Sequence, residues 1–109
     1  MLVKREKYNL DSDIGLIPLG DLKFAIVDAA DYESLSRYKW YAHKSRHCTY
    51  AARNTHIHGK DVVIFMHRQI MRFPKGKHVH HSNHNTLDNR RCNLLVTTPA
   101  THKILHYSA

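Results

Sequence analysis

Short apolar stretches separated by turn residues recur along the chain. The alternation of apolar and polar residues predicts strands at residues 39–44 and 49–55, and the β-branched run at 62–65 predicts another. Residues 24–28 are a further short apolar strand. Pro18 argues that the apolar run at 14–20 is an edge strand at best, within a partly ordered lead-in. We therefore predict an N-terminal three-stranded antiparallel sheet.

Two helices are predicted among these strands. Asp28 is placed to cap a short helix that runs through Leu35 to about residue 38. Residues 66–73 have helical spacing, which puts Met66, Ile70 and Phe73 on one side, facing the core. The segment 74–77 contains Pro and Gly and should end this second helix.

The C-terminal third is predicted to be strand, loop, strand and helix. The strands cover 77–81 and 93–97, and the Asn-rich segment 82–92 between them favours turns. Thr98 and Pro99 form a good helix start. The final helix would carry His102 and His106, four residues apart and so on the same face.

Length and charge narrow the class of protein. At 109 residues the chain has room for one small domain, or for a domain with an arm. The longest apolar runs fall far short of the roughly 18 residues of a membrane span, and the N-terminus does not resemble a signal peptide. A cytoplasmic location is therefore expected.

The net charge of +8 is unevenly distributed. Residues 1–34 contain four Lys/Arg and seven Asp/Glu, whereas residues 35–109 contain thirteen Lys/Arg and two Asp. A segment that basic indicates a polyanionic partner, most simply nucleic acid.

A group of histidines and an asparagine lies in this basic segment. His102 and His106 form a familiar two-ligand metal arrangement, and His80 would complete a three-imidazole site with open positions. His81 has a side chain whose reference pKa of about 6.5 suits the activation of water. Asn93 is placed to fasten the loop to the following strand.

The segment from Val79 to His106 resembles the HNH, or ββα-metal, endonuclease motif. His81, Asn93 and His102 match its three signature letters. Over residues 15–106 the chain is similar to phage and intron-encoded HNH homing endonucleases, with Met66-His67-Arg68 and Leu87-Asp88-Asn89-Arg90 among the matching runs.

This resemblance implies roles for the matching residues. His81 would be the general base, Asn93 the loop scaffold, and His80 and His102 ligands of one divalent metal ion. Homing members commonly have Asp where this chain has His80. Paired His occurs in the nuclease-colicin branch, where a His placed like His106 also binds metal. Mg²⁺ or Mn²⁺ is expected, and the imidazole ligands also admit Zn²⁺ or Ni²⁺.

The complete prediction is a small α+β protein. Residues 1–74 would form a DNA-binding sheet with a short helix, similar to AP2-type domains, and residues 75–109 the ββα-metal motif, all within one compact domain. As monomer or homodimer, it would cut double-stranded DNA, nicking one strand per active site. The expected DNA contacts are Arg53, Arg68, Arg72, Lys75, Lys77, Arg90 and Arg91.

Two alternatives belong to other classes. One is a DNA-binding module that keeps the HNH scaffold without cleaving. The other is a structural metal-binding protein whose basic charge is incidental.

Overall fold

The computed structural model describes residues 2–3 and 13–98. The first sheet has the order β1–β2–β3, all antiparallel, with strands at Leu2–Val3, Ile14–Gly20 and Lys23–Asp28. Alternation along β2 and β3 places Ile17, Leu19, Ala25 and Val27 in the core. A tight turn joins β2 to β3, with positive φ at Gly20, Asp21 and Leu22.

This first sheet corrects the sequence prediction in two respects. Residues 14–20 form a seven-residue strand that lies between β1 and β3, whereas an edge strand at best, within a partly ordered lead-in, was predicted. Pro18 is tolerated because the described residues of β1 pair with Ile14 and Gly15, so that among residues 2–3 and 13–98 Pro18 has a strand partner on one side, Phe24 of β3. The described chain therefore contains two three-stranded sheets, and the prediction of a single one was wrong.

Helix α1 spans Ala29–Leu35 and buries Leu35 against the first sheet. It ends earlier than predicted, and the buried indole of Trp40 donates a 2.7 Å hydrogen bond to the carbonyl of Leu35. Asp28 occupies the N-cap position as predicted. Among the described contacts, however, its carboxylate accepts a hydrogen bond from the amide of Arg91 and makes none to the helix.

The second sheet has the order β4–β5–β6, with strands at Tyr41–Lys44, Thr49–Ile57 and Lys60–Phe65. Helix α2, Met66–Ile70, follows directly. Met66 and Ile70 are buried as predicted. Phe73 is 49% exposed, so its predicted place in the core was wrong: Arg72 and Phe73 both have positive φ, which ends the helix and turns the ring outwards.

Strands β7 (His78–His81) and β8 (Leu94–Thr97) form an antiparallel hairpin that pairs His81 with Leu94. A short 3₁₀ helix at Arg91–Asn93 precedes β8, so Asn93 lies just before the strand and not within it. The predicted final helix lies outside the described residues.

One apolar cluster draws on both sheets and the hairpin, from Ile17 through Ala51 and Met66 to Val79 and Leu94. The described chain is thus a small α+β fold with several antiparallel sheets and short helices. Its described helices lack the length and apolar character that crossing a membrane requires. The boundary predicted between residues 74 and 75 stays a prediction.

Candidate active site

A pocket of about 530 Å³ opens beside strand β7. It forms where the β4–β5 loop, the start of α2, β7 and the following loop meet, and the Thr86 hydroxyl fastens that loop by donating to the carbonyl of Thr49. Half of its lining residues are histidines. The lining comprises His47, Cys48, Tyr50, Phe65, His67, Arg68, His78, Val79, His80, His81, His84 and Thr86.

His81 lies at the end of β7 and is 5% exposed. Its Nε2 is 2.7 Å from the side-chain oxygen of Asn89. Because an amide oxygen only accepts hydrogen bonds, Nε2 carries the proton and Nδ1 keeps a lone pair. Burial lowers the pKa of His81 below its ordinary value of 6.5, against opposing effects of Asn89 and the Asp88 charge. The imidazole is therefore neutral at neutral pH and has a nitrogen able to accept a proton.

His67 packs against His81 from helix α2. The two ring centroids are 4.8 Å apart in an edge-to-face arrangement, and the ring of Tyr50 lies 5.4 Å from His67. Burial, followed by the charges of His81 and Arg68, lowers the pKa of His67 to about 3. His67 is thus a neutral aromatic side chain that packs against the ring of His81. Sequence reasoning gave it no functional role.

His80 is the predicted metal ligand that falls within the described residues. It is 8% exposed, lines the same pocket as His81, and packs 5.3 Å from the ring of His84. The other predicted ligands, His102 and His106, lie outside the described residues. Within residues 13–98, no three His, Cys, Asp or Glu side chains are grouped so as to hold a metal ion.

Of the predicted ligands, this part of the site contains the imidazole of His80. Imidazole suits Zn²⁺ or Ni²⁺, whereas Mg²⁺ and Mn²⁺ prefer carboxylate and carbonyl oxygens. His80 is the sole predicted ligand in the described part of the chain, and the other two predicted donors would have to complete the site.

Asn93 ties the two ends of the 82–92 loop together. Its side-chain amide donates to the carbonyl of Asp88 at 2.8 Å, and its side-chain oxygen accepts from the amide of Asn83 at 2.9 Å. Its backbone carbonyl accepts from the amide of Ser82. These contacts support the predicted scaffold role, since each closes the loop next to His81.

The buried Asp88 carboxylate is a second loop anchor that sequence reasoning missed. Arg90 donates to it through two nitrogens, at 2.7 and 2.6 Å, and Asn83 adds a bond of 2.9 Å. Burial raises the pKa of Asp88, but these hydrogen bonds outweigh burial and hold it below its ordinary value of 3.8. Asp88 is therefore ionised and neutralised by Arg90.

The predicted DNA contacts fall into two groups. Arg72, Lys75 and Lys77 are exposed. The other four, of which Arg91 is also exposed, hold intramolecular partners. Arg53 bonds Gln69 and lies 4.0 Å over the Tyr38 ring, and Arg68 bonds the carbonyls of residues 74 and 77. Arg90 and Arg91 pair with Asp88 and Asp31.

Asn89 is the functional residue that sequence reasoning missed most clearly. It belongs to the Leu87–Arg90 run that carried the family resemblance, so the run itself was a signal. Nothing in the sequence, however, links it to His81, because the two residues are eight positions apart and their contact depends on how the intervening loop folds back.

Comparison with known proteins adds one finding. Residues 72–104 match the family model described as HNH endonuclease. No curated protein and no solved structure matches the chain. The match confirms the resemblance to HNH endonucleases over the segment that contains β7, the loop, β8 and His102, and it indicates nuclease activity.

Proposed function

We propose that this protein is a metal-dependent DNA endonuclease that hydrolyses phosphodiester bonds. The observation that carries the proposal is the state of His81. It is a buried, neutral imidazole whose Nε2 is engaged by Asn89, so that Nδ1 remains to accept a proton. It lies in a pocket within the matched segment.

His81 acts as the general base. Its Nδ1 takes a proton from a water molecule, and the resulting hydroxide attacks phosphorus in line with the departing oxygen. His67 keeps water from one face of the ring, which helps His81 stay neutral between turnovers.

His80, His102 and His106 would hold one divalent metal ion, Mg²⁺ or Mn²⁺, or else Zn²⁺ or Ni²⁺. When bound, the ion supplies stabilisation of negative charge on the departing 3′ oxygen. Asn93 keeps the loop closed, so that His80 and His81 stay next to each other in the pocket.

The substrate is double-stranded DNA. Arg72, Lys75 and Lys77 are exposed on the segment leading into β7 and make phosphate contacts that position the duplex. Arg53 and Arg68 add positive charge, whereas Arg90 and Arg91, paired with Asp88 and Asp31, would reach DNA only beside these carboxylates. One centre per chain cuts one strand, so a monomer nicks and a homodimer breaks both strands. The similarity to phage and intron-encoded enzymes favours a homing-type role.

A plasmid-nicking assay tests this function. Supercoiled plasmid is incubated with protein and Mg²⁺, Mn²⁺, Zn²⁺ or Ni²⁺ in turn. We expect metal-dependent conversion to the open circle, abolished in H81A with DNA binding nearly intact. H58N is the matched control, since His58 lies in the exposed β5–β6 turn at positive φ, which Asn tolerates. Cleavage by H81A at the wild-type rate would exclude His81 as the base.

A second candidate function is a DNA-binding module that keeps the HNH scaffold without cleaving. The exposed Arg72, Lys75 and Lys77 would serve either function. Salt-sensitive DNA binding combined with no nicking under any of the four metals would establish this function instead.

A further inference from the structure

The side chain of Asn89 is completely buried beneath the catalytic hairpin. Its oxygen bonds Nε2 of His81 at 2.7 Å, while its amide nitrogen has no hydrogen-bond partner among the described residues. A buried polar group left unpaired costs free energy. The contact with His81 is therefore the one that explains why an amide occupies this position.

The backbone around Asn89 is held by strand β3. The amide of Asn89 donates to the carbonyl of Ile26 at 2.7 Å, and the amide of Ile26 donates to the carbonyl of Leu87 at 2.8 Å. These two bonds form a parallel bridge between Ile26 and Asp88. The first sheet thus extends by one residue into the catalytic loop.

A second attachment follows immediately. The amide of Arg91 donates to the Asp28 carboxylate at 3.0 Å, and its guanidinium makes two bonds of 2.9 Å to Asp31. Asn89 is therefore fixed on both sides by the N-terminal part of the chain, which leaves its side chain little freedom to leave His81.

We propose that Asn89 is a positioning residue that fixes the proton on Nε2 of His81 and the orientation of its ring, and that strand β3 holds Asn89 in place for this purpose. Because imidazole has two nitrogens, a base must present the correct one. Binding Nε2 to a buried amide directs Nδ1 towards the pocket. The catalytic consequence rests on the proposed function, whereas the hydrogen bond itself does not.

The test measures the imidazole N–H of His81 by ¹⁵N NMR on the full-length, metal-free protein, assigned by its loss in H81A. In the wild type we expect an Nε2–H resonance protected from exchange with water. N89L removes the acceptor and should abolish this resonance. N89D keeps an acceptor at the same place and should retain it.

Cleavage kinetics provide the second readout. N89L should lower kcat by about 10- to 100-fold, as loss of a group that orients a functional imidazole does, with KM for DNA unchanged. T97V is the matched control: Thr97 is also buried, its hydroxyl has no partner among the described residues, and its substitution should alter neither readout.

The outcomes separate the two proposals. A missing resonance in the wild type, a protected N–H on Nδ1, or an Nε2–H signal that persists in N89L would overturn the positioning role. If N89L does not fold, N89D decides, because loss of the resonance there also contradicts the proposal. If the resonance depends on Asn89 but the wild type never cleaves, the positioning role stands and the nuclease function fails.

Discussion

Arg90 was predicted to contact DNA, but its side chain is engaged in an ion pair within the fold. Its guanidinium neutralises the Asp88 carboxylate, which is only 4% exposed. Removing one partner of a buried ion pair leaves an uncompensated charge, and this is strongly destabilising. A contribution of Arg90 to DNA binding would therefore be difficult to separate from its contribution to stability.

We expect R90A to lower the free energy of unfolding by about 3–5 kcal/mol. R91A should cost about 1 kcal/mol or less, because the Arg91 side chain is 54% exposed and its pair with Asp31 is better solvated. Urea denaturation of both variants measures the difference. Equal losses would show that the Asp88–Arg90 pair has no special role in the loop.

His67 makes stability depend on pH. Its pKa is about 3 in the folded protein and near 6.5 in the unfolded chain, so between these values the unfolded chain binds more protons. The contribution of His67 is complete above pH 6.5 and is lost as pH falls towards 3, by roughly 1.4 kcal/mol per pH unit. His81, Tyr50 and Arg68 are the titratable or charged groups around it.

The free energy of unfolding should therefore fall by about 2 kcal/mol from pH 7 to pH 5 because of His67 alone. H67F fills the same aromatic cluster without a titratable group and should show a loss smaller by this amount. H58N, altered at an exposed turn, should keep the wild-type dependence. Identical pH profiles for the wild type and H67F would contradict the prediction.

At the scale of elements, Gly15 shows how closely α1 approaches β2. A β-carbon added at Gly15 would lie 2.9 Å from both Cβ and Cγ of Tyr32 and would meet the ring edge as well. The Tyr32 Cβ belongs to the rigid base of the side chain, so the helix itself has to move.

G15A should lower the free energy of unfolding by about 1–3 kcal/mol, as overpacking does. In a Y32A background most of the clash disappears, and the same substitution should cost clearly less. Thermal denaturation of the four proteins completes the cycle. An unchanged cost in the Y32A background would place the strain elsewhere.

The elements predicted best were those set by local pattern. The strands of the second sheet and β7 follow alternation and β-branched runs, and Met66 and Ile70 follow helical spacing. The prediction for residues 14–20 was wrong because a proline is excluded only where the strand is paired on both sides. The sequence of β2 does not show which of its residues pair with β1. Phe73 was misjudged because a positive φ has no periodic signature.

In the candidate site, too, some residues could be predicted from the sequence and others could not. His80, His81 and Asn93 were identifiable because residue type and order carry their chemistry. Asn89, Asp88 and His67 act through contacts that span the loop or join separate elements, and those contacts exist only after folding.

At the scale of the whole molecule, positive charge is concentrated in residues 35–109. If Lys75 and Lys77 contact phosphates, each releases about one counterion on binding. We expect the double variant K75Q/K77Q to reduce the slope of log K against log salt concentration by about 1.8. Fluorescence anisotropy with a labelled duplex measures this slope.

The matched control is R37Q/K60Q, which removes two exposed positive charges from other elements. It should weaken binding less and leave the slope nearly unchanged. Equal changes of the slope in both double variants would mean that DNA binding depends only on the net charge of the protein. The duplex would then not be positioned beside β7.

The attachment of the catalytic loop to strand β3 has a consequence for synthesis of the chain. The bond between Arg91 and Asp28 joins positions 63 residues apart, so translation completes one side long before the other. A nascent polypeptide that stops before Asn89 already contains strand β3, His80 and His81. It lacks the Asn89 amide that we propose orients His81. If the protein cleaves DNA as proposed, a fragment that ends before Asn89 should therefore not nick DNA.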